Sequence, residues 1–493
     1  MGLAKYLPHF YIPFLDDIVS GKKQIGTLKN IIGDDKKALD SIAYYKLLVQ
    51  TEIDYSIRLK QGDTAIAFFG TNGLKDMLKQ KALQLFITPI NELHESPENV
   101  RMKAIDALSP VDIYYTLVMG EDDIYTSSYV KCFNRMLQRM GKKTGTDSLL
   151  REVHFDYFKK FIKMAANFNK LDVFLNLMPA ANAESLMKDF VSDLELTQDL
   201  EDAVDVADSY CSINNKKLLA NIFNNINENE KRCTEIDNSR GKVIYNLLKA
   251  VFLSADSSNK VDLNTSADLP PIYTIDSKAL QDDTGRIVQQ VFFFGDGKKI
   301  FADYINSFSS KDWKINNSNK EWVEIKSKKE PEIWIYVNRP LDNNKNLDDS
   351  AQVHLSKFLY KNNMVPSIVI HRGHSYWLPR TMDRMAGNAK IVVLGSCGGY
   401  KNFNQLIELN PGAHIISTKQ IGTGLINYNL INVLNRMLLT SKVIDWRKMW
   451  NSLNITFARQ PTYIKEAWED YIPPYKNLGA LFLSAYNKKM EIE

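Results

Sequence analysis

Residues 366–400 read PSIVIHRGHSYWLPRTMDRMAGNAKIVVLGSCGGY. The stretch contains two mainly apolar runs, 367–370 and 390–394, and each is followed within three residues by a glycine and then by polar residues. Continuous aliphatic and β-branched runs of this length are typical of strands that are buried on both faces of a parallel sheet. The residues between the runs are long enough for a crossover helix. We therefore predict two adjacent, parallel, buried strands.

Two chemically active side chains follow these predicted strands. His374 follows the first, and Cys397 follows the second. The carboxyl ends of adjacent parallel strands border the crevice in which open α/β sheets bind ligands. A thiol and an imidazole placed there fit a nucleophile and its general base. The backbone N–H groups of Ser375, Cys397 and Gly398 are candidate donors to an oxyanion.

Three other interpretations compete with this one. His371 is a second candidate for the base, but we assign the role to His374 because it follows Gly373 at the expected strand end, which leaves His371 as a packing or supporting residue. A zinc site formed by His371, His374 and Cys397 would lack a carboxylate, and we predict no metal. A buried cysteine and a core histidine without chemistry are the structural alternative.

The whole chain has an ordinary globular composition. Of its 493 residues, 44% are hydrophobic and 24% are charged, and the net charge is +4. A charge this small gives no reason to expect nucleic acid as a partner. Four cysteines are too few for a disulfide scaffold and form no CxxC pair. No apolar segment is long enough to span a membrane, so no membrane span is predicted.

The chain divides into three parts by its patterns. Residues 1–253 show apolar residues at helical spacing without a fixed repeat, which predicts an irregular all-helical domain that is at most loosely repeat-like. Residues 254–271 are rich in small polar residues and end in two prolines, as in a linker. From 272 to 493 strand patterns alternate with helical ones, which predicts an α/β domain with a mainly parallel sheet.

The two motifs resemble those of a known group of enzymes. Gly373-His374-Ser375 after one strand and Gly395-Ser396-Cys397-Gly398-Gly399 after the next are similar to motifs of the caspase-like clan of cysteine peptidases, in particular its gingipain, clostripain and separase branches. The resemblance covers about residues 270–493. His374 and Cys397 are 23 residues apart, fewer than the roughly 50 of the caspase signature, so the chain is not a caspase proper.

The resemblance implies a caspase–haemoglobinase α/β fold and a cysteine endopeptidase with a Cys397/His374 dyad, a protein or peptide substrate and no cofactor. It also implies a substrate pocket near Lys419 and Gln420. Lys419 would favour an acidic substrate residue, whereas Asp296 would favour a basic one, but the favoured interpretation of either side chain is a solvated surface charge.

The rival interpretation is a catalytically silent module of the same fold, in which the helical domain binds a protein partner. The first twenty residues lack the apolar core and cleavage site of an export signal, which favours a cytoplasmic location unless the natural start lies upstream and carries such a signal.

Overall fold

The protein is represented by a computed structural model that describes residues 41–62, 73–141, 144–255, 263, 269–295, 297–309, 311–410 and 412–492. The chain divides into two compact units, Met1–Leu186 and Met187–Glu493. Most of the predicted linker, 256–262 and 264–268, lies outside the described residues.

The described part of the first unit is helical. Its helices pack through aromatic side chains such as Tyr114, Phe133 and Phe161, all fully buried. The helix Pro110–Met119 shows how one of them begins: Ser109 and Asp112 form a reciprocal capping box that satisfies two backbone N–H groups. The helices are α1 (Ser41–Lys60), α2 (Leu74–Ala82), α3 (Thr88–Glu92), α4 (Glu98–Arg101), α5 (Pro110–Met119), α6 (Thr126–Met140), α7 (Thr146–Glu152), α8 (Phe158–Asn167), α9 (Leu171–Asn176) and α10 (Ala180–Phe190), which crosses into the second unit.

The second unit begins with further helices and continues as an α/β domain. The helices are α11 (Glu201–Tyr210), α12 (Lys216–Glu235) and α13 (Ser239–Ala255). The elements that follow are β1 (Thr274–Asp276), β2 (Ile287–Phe293), α14 (Lys298–Asn306), β3 (Trp313–Asn316), β4 (Trp322–Ser327), β5 (Ile333–Asn338), α15 (Leu347–Lys361), β6 (Ile368–Arg372), α16 (Leu378–Met382), β7 (Ile391–Leu394), α17 (Phe403–Leu409), β8 (His414–Thr418), α18 (Gly424–Thr440), β9 (Val443–Asp445), α19 (Trp446–Phe457), α20 (Thr462–Glu469), β10 (Tyr471–Ile472) and α21 (Leu478–Ile492).

An eight-stranded mixed sheet organises the α/β domain. Its strand order is β10-β8-β7-β6-β2-β5-β4-β3. The five strands from β8 to β5 in this order are parallel, and antiparallel strands complete both edges. Strands β3, β4 and β5 lie on one side of β2, and the next strand in the chain, β6, lies on its other side. The carboxyl ends of β2 and β6 therefore lie where ligand crevices form in such sheets.

Helices cover both faces of this sheet. On one face, residues such as Ile370 and Val393 pack against Tyr304, Leu430 and Trp446 from α14, α18 and α19. On the opposite face, alternate strand residues pack against α16, α17 and α21, and another cluster packs against α15. All residues of β2, β6 and β7 are buried, as continuous apolar runs predict for central parallel strands.

The predicted fold class is confirmed at this level, with helices over residues 41–255 followed by an α/β domain with a mostly parallel sheet. The predicted parallel pairing of the two strands in 366–400 is also confirmed. The short strands β1, β3, β9 and β10 were not predicted. Among the described residues, none of the helices has the length and apolarity that crossing a membrane requires.

Candidate functional site

The pairing of β6 with β7 places the two predicted catalytic residues at equivalent positions. His371 pairs with Leu394 at the end of the parallel ladder. His374 and Cys397 each follow three residues after a member of this pair. Neighbouring strands lie about 5 Å apart, so both chains enter their loops side by side. The register thus brings the thiol-bearing and imidazole-bearing loops to the same edge of the sheet.

The two histidines of this segment have different environments. His371 is fully buried; its Nδ1 lies 2.7 Å from Thr381 Oγ1 and its Nε2 lies 3.2 Å from the His374 carbonyl oxygen. His374 is exposed, and its ring stacks on Tyr376 with the centroids 5.1 Å apart. Both nitrogens of His371 are engaged by its neighbours, whereas His374 is the one in contact with solvent. This contrast favours His374 as the base.

The loop that carries Cys397 turns sharply and is fixed by a second loop. Gly398 has φ +61°, a conformation that glycine adopts without strain. Its N–H donates to the Gln420 carbonyl oxygen at 2.7 Å. Burial raises the pKa of the Cys397 thiol, and hydrogen bonds from the backbone N–H groups of Gly422 and Cys397 partly oppose that rise. The resting side chain is therefore a thiol at neutral pH.

A buried polar network holds these loops together. Asn427 donates from Nδ2 to the Gly395 carbonyl oxygen at 2.8 Å and accepts from the Tyr471 hydroxyl at 3.2 Å. The same hydroxyl accepts from the Thr423 N–H at 3.0 Å. A Cβ at Gly395 would come within 2.2 Å of Asn427 Oδ1, so only glycine fits there. The network joins β7, α18 and β10 next to the loop that carries Cys397.

The other predicted site residues differ in whether their backbone N–H groups are already hydrogen-bonded. Ser375 is half-buried, and its backbone N–H makes no hydrogen bond to another described residue, so it remains a candidate oxyanion donor. The N–H of Gly398 already donates to the Gln420 carbonyl oxygen, which places Gln420 beside the loop that carries Cys397. Asp296 lies outside the described residues.

Lys419 points into the protein interior. It is 2% exposed, and its Nζ donates to Ser212 Oγ at 2.5 Å and lies 4.6 Å from the centre of the Tyr400 ring. Burial lowers its pKa, while the Asp208 carboxylate favours the charged form. In this position Lys419 connects the sheet edge to α11 and does not line the cavity described next.

A cavity of about 500 Å³ opens beside the two loops. Arg372 and Tyr304 line it, together with Leu425 and Tyr428 near the start of α18. Arg372 is two residues before His374, and Gly424, another lining residue, is two residues after Gly422. Sequence analysis missed these residues. The one signal in the sequence for this cavity was Arg372, a charged residue at the end of the buried run 368–372.

No group of three or more histidine, cysteine or acidic side chains within the described ranges is arranged to hold a metal ion. Comparisons of the chain with models of protein families, with curated proteins and with solved structures found no match.

Proposed function

We propose that the protein is a cysteine endopeptidase of the caspase-like clan, with Cys397 as nucleophile and His374 as general base. The observation that carries the proposal is the register of β6 and β7, which presents the two residues at equivalent positions beyond adjacent parallel strand ends. The motifs at these positions resemble those of the clan, and the surrounding α/β sheet is the type of scaffold that the resemblance implies.

The reaction would proceed through two linked steps. The Cys397 sulfur attacks the peptide carbonyl carbon while its proton passes to the His374 imidazole, which is needed because burial raises the pKa of the thiol. The imidazolium then returns the proton to the leaving amine, and a thioester remains on Cys397. Water, activated by the same imidazole, hydrolyses the thioester and regenerates the thiol.

The developing oxyanion needs donors near the nucleophile. The Ser375 N–H makes no hydrogen bond within the described residues and follows the base directly. Preorganised backbone donors of this kind stabilise charge as it develops and require no reorganisation. We assign this role to Ser375 and keep the Gly398 amide for the hydrogen bond to Gln420 that shapes the loop.

The first prediction tests the dyad. Wild-type protein and the variants Cys397→Ala and His374→Ala are incubated with a diverse peptide library, and cleaved bonds are identified by mass spectrometry. We expect each change to reduce cleavage roughly a thousandfold or more, because nucleophile and base act as one unit. Cys211→Ala is the matched control, since Cys211 is a half-buried thiol in the same unit and should be dispensable.

The variant His371→Gln separates the two histidines. It removes the imidazole that lies between Thr381 and the His374 carbonyl oxygen, and measurable cleavage should remain if His374 is the base. Wild-type protein that cleaves no peptide and reacts with no thiol-directed peptidyl probe would contradict the proposal. That result would favour a non-catalytic module that acts through binding.

A further inference from the structure

The cavity beside the catalytic loops contains two buried polar groups without partners. Arg372 is 7% exposed, and among the described residues its guanidinium makes no ion pair or hydrogen bond, with Nε fully shielded from solvent. Tyr304 is 4% exposed, and its hydroxyl likewise has no hydrogen-bond partner within the described residues. Both side chains line the same cavity of about 500 Å³. The wall of a space large enough for a ligand therefore includes two residues that carry an unpaired donor.

The strand geometry explains why Arg372 is turned this way. Successive side chains of a strand alternate between faces, so Arg372 shares the face of Ile368 and Ile370 and lies towards α14 and α18, while His371 lies towards α16. Burial lowers the pKa of Arg372, whereas nearby Tyr471 and Tyr304 oppose that change. Arginine stays charged despite such a shift. A buried guanidinium without a counter-charge is costly, and an anion supplied by a ligand would compensate it.

The rest of the cavity defines the ligand more closely. Its rim carries the exposed apolar side chains Ile300, Leu425 and Tyr428. Asp303 also lies on the rim, where it is exposed and forms no ion pair with Arg372 in the described part of the chain. The buried positive charge of Arg372, with apolar side chains at the rim, fits a ligand that has a carboxylate at the end of an apolar chain. The volume exceeds that of one side chain and has room for a neighbouring residue.

We propose that this cavity binds an acidic side chain of a peptide substrate, with its carboxylate between the Arg372 guanidinium and the Tyr304 hydroxyl and an apolar neighbouring residue against the rim. This inference rests on the proposed peptidase function, because the peptide is a substrate only if the protein cleaves it. The binding of an acidic peptide does not itself depend on catalysis. Arg372 and Tyr304 are specificity residues here, because neither acts on the scissile bond.

The test uses two fluorescein-labelled decapeptide pools that are identical except at one fixed position, which holds Glu in the first pool and Gln in the second. The remaining positions are uncharged, all C-termini are amidated and both pools carry the same dye, so the Glu carboxylate is the one charge by which the pools differ. Binding to the full-length Cys397→Ala protein is measured by fluorescence anisotropy. Cleavage of both pools by the full-length protein that retains Cys397 is measured by mass spectrometry.

We expect the Glu pool to bind at least about tenfold more tightly than the Gln pool, because a charge-assisted hydrogen bond to a buried arginine is among the stronger protein contacts. Arg372→Met should abolish this preference, and Tyr304→Phe should weaken it severalfold. Both changes remove a buried polar group without a partner, so neither should lower the melting temperature. Arg436→Met, at an exposed position of α18, changes the net charge equally and should keep the preference.

The outcomes separate this inference from the peptidase proposal. Equal binding of both pools, or a preference that survives Arg372→Met, overturns the acidic pocket whatever the catalytic result. A preference for the Glu pool in a protein that cleaves neither pool keeps the pocket and overturns the peptidase. Cleavage of both pools by a protein that binds them equally well keeps the peptidase proposal and overturns the acidic pocket.

Discussion

Cys397 lies in a half-buried position that keeps its thiol protonated. Burial raises the pKa, and the two backbone N–H groups that contact the sulfur offset only part of that effect. A cysteine of this kind differs from one that rests as a thiolate beside a charged histidine. The distinction matters because the two types respond differently to pH and to removal of the base.

We predict that the rate at which iodoacetamide alkylates Cys397 rises with pH and reaches half of its maximum above the range of an ordinary thiol. The rise follows the thiolate fraction, which grows as pH approaches the raised pKa. His374→Ala should leave this alkylation profile nearly unchanged while peptide cleavage is lost. The rate is followed by mass spectrometry of the peptide that contains residue 397, so that Cys132, Cys211 and Cys233 do not interfere.

A plateau of reactivity below pH 7 that vanishes in His374→Ala would contradict this picture. It would mean that the thiol and imidazole form a resting ion pair. The thiol of Cys397 would then have a pKa below its usual value, and the base would no longer be needed to take a proton during attack.

Among the elements, α18 carries the side chain that fixes the loop after β7. Asn427 donates to the carbonyl oxygen of Gly395 and accepts from Tyr471 on β10. We predict that Asn427→Leu, which is similar in size, destabilises the protein by about 2–4 kcal/mol because two buried polar groups lose their partner. The free energy of unfolding is measured by urea denaturation. Asn429→Leu, on the same helix, is the control and should change it little, because the Asn429 amide donates to the Leu425 carbonyl oxygen in a solvent-exposed hydrogen bond.

The network offers an internal check of this prediction. Asn427→Leu and Tyr471→Phe remove opposite ends of one hydrogen bond, so their effects should not add, and a coupling of about 0.5 kcal/mol or more is expected in a double-mutant cycle. Strict additivity of the two changes would show that the network does not act as a unit.

The elements that could be predicted from sequence are those that local pattern determines. Apolar runs such as 391–394 are buried whatever their neighbours are, and their parallel pairing follows from the connection between them. The strands β1, β9 and β10 have two or three residues and exist because distant segments pair with them, so no local period reveals them. The same reason hid the Asn427 network, whose members are separated by up to 76 residues, and the cavity around Arg372.

At the scale of the whole molecule, helices α11–α13, which precede the sheet, belong to the same compact unit as His374 and Cys397. Asp208 on α11 accepts from the Tyr400 hydroxyl at 2.6 Å and from the Gly479 N–H at 2.8 Å. A Cβ at Gly479 would come within 2.5 Å of that carboxylate, so α11 and α21 pack closely. Tyr400 is three residues after Cys397. Helix α11 and the loop that carries Cys397 are therefore connected through the buried Asp208 carboxylate.

This arrangement predicts where the chain can be cut. A fragment of residues 187–493 contains the whole second unit and should fold, with a cooperative thermal transition by circular dichroism and a monomer-sized or single oligomeric peak in gel filtration. A fragment of residues 272–493 begins after the linker that the sequence indicates and lacks α11–α13. It would leave Tyr400 and Lys419 without Asp208 and Ser212 and expose the apolar surface of α21, so we expect aggregation or a non-cooperative transition. Cooperative folding of the shorter fragment, with peptide cleavage equal to that of the longer one, would show that these helices are dispensable for the site.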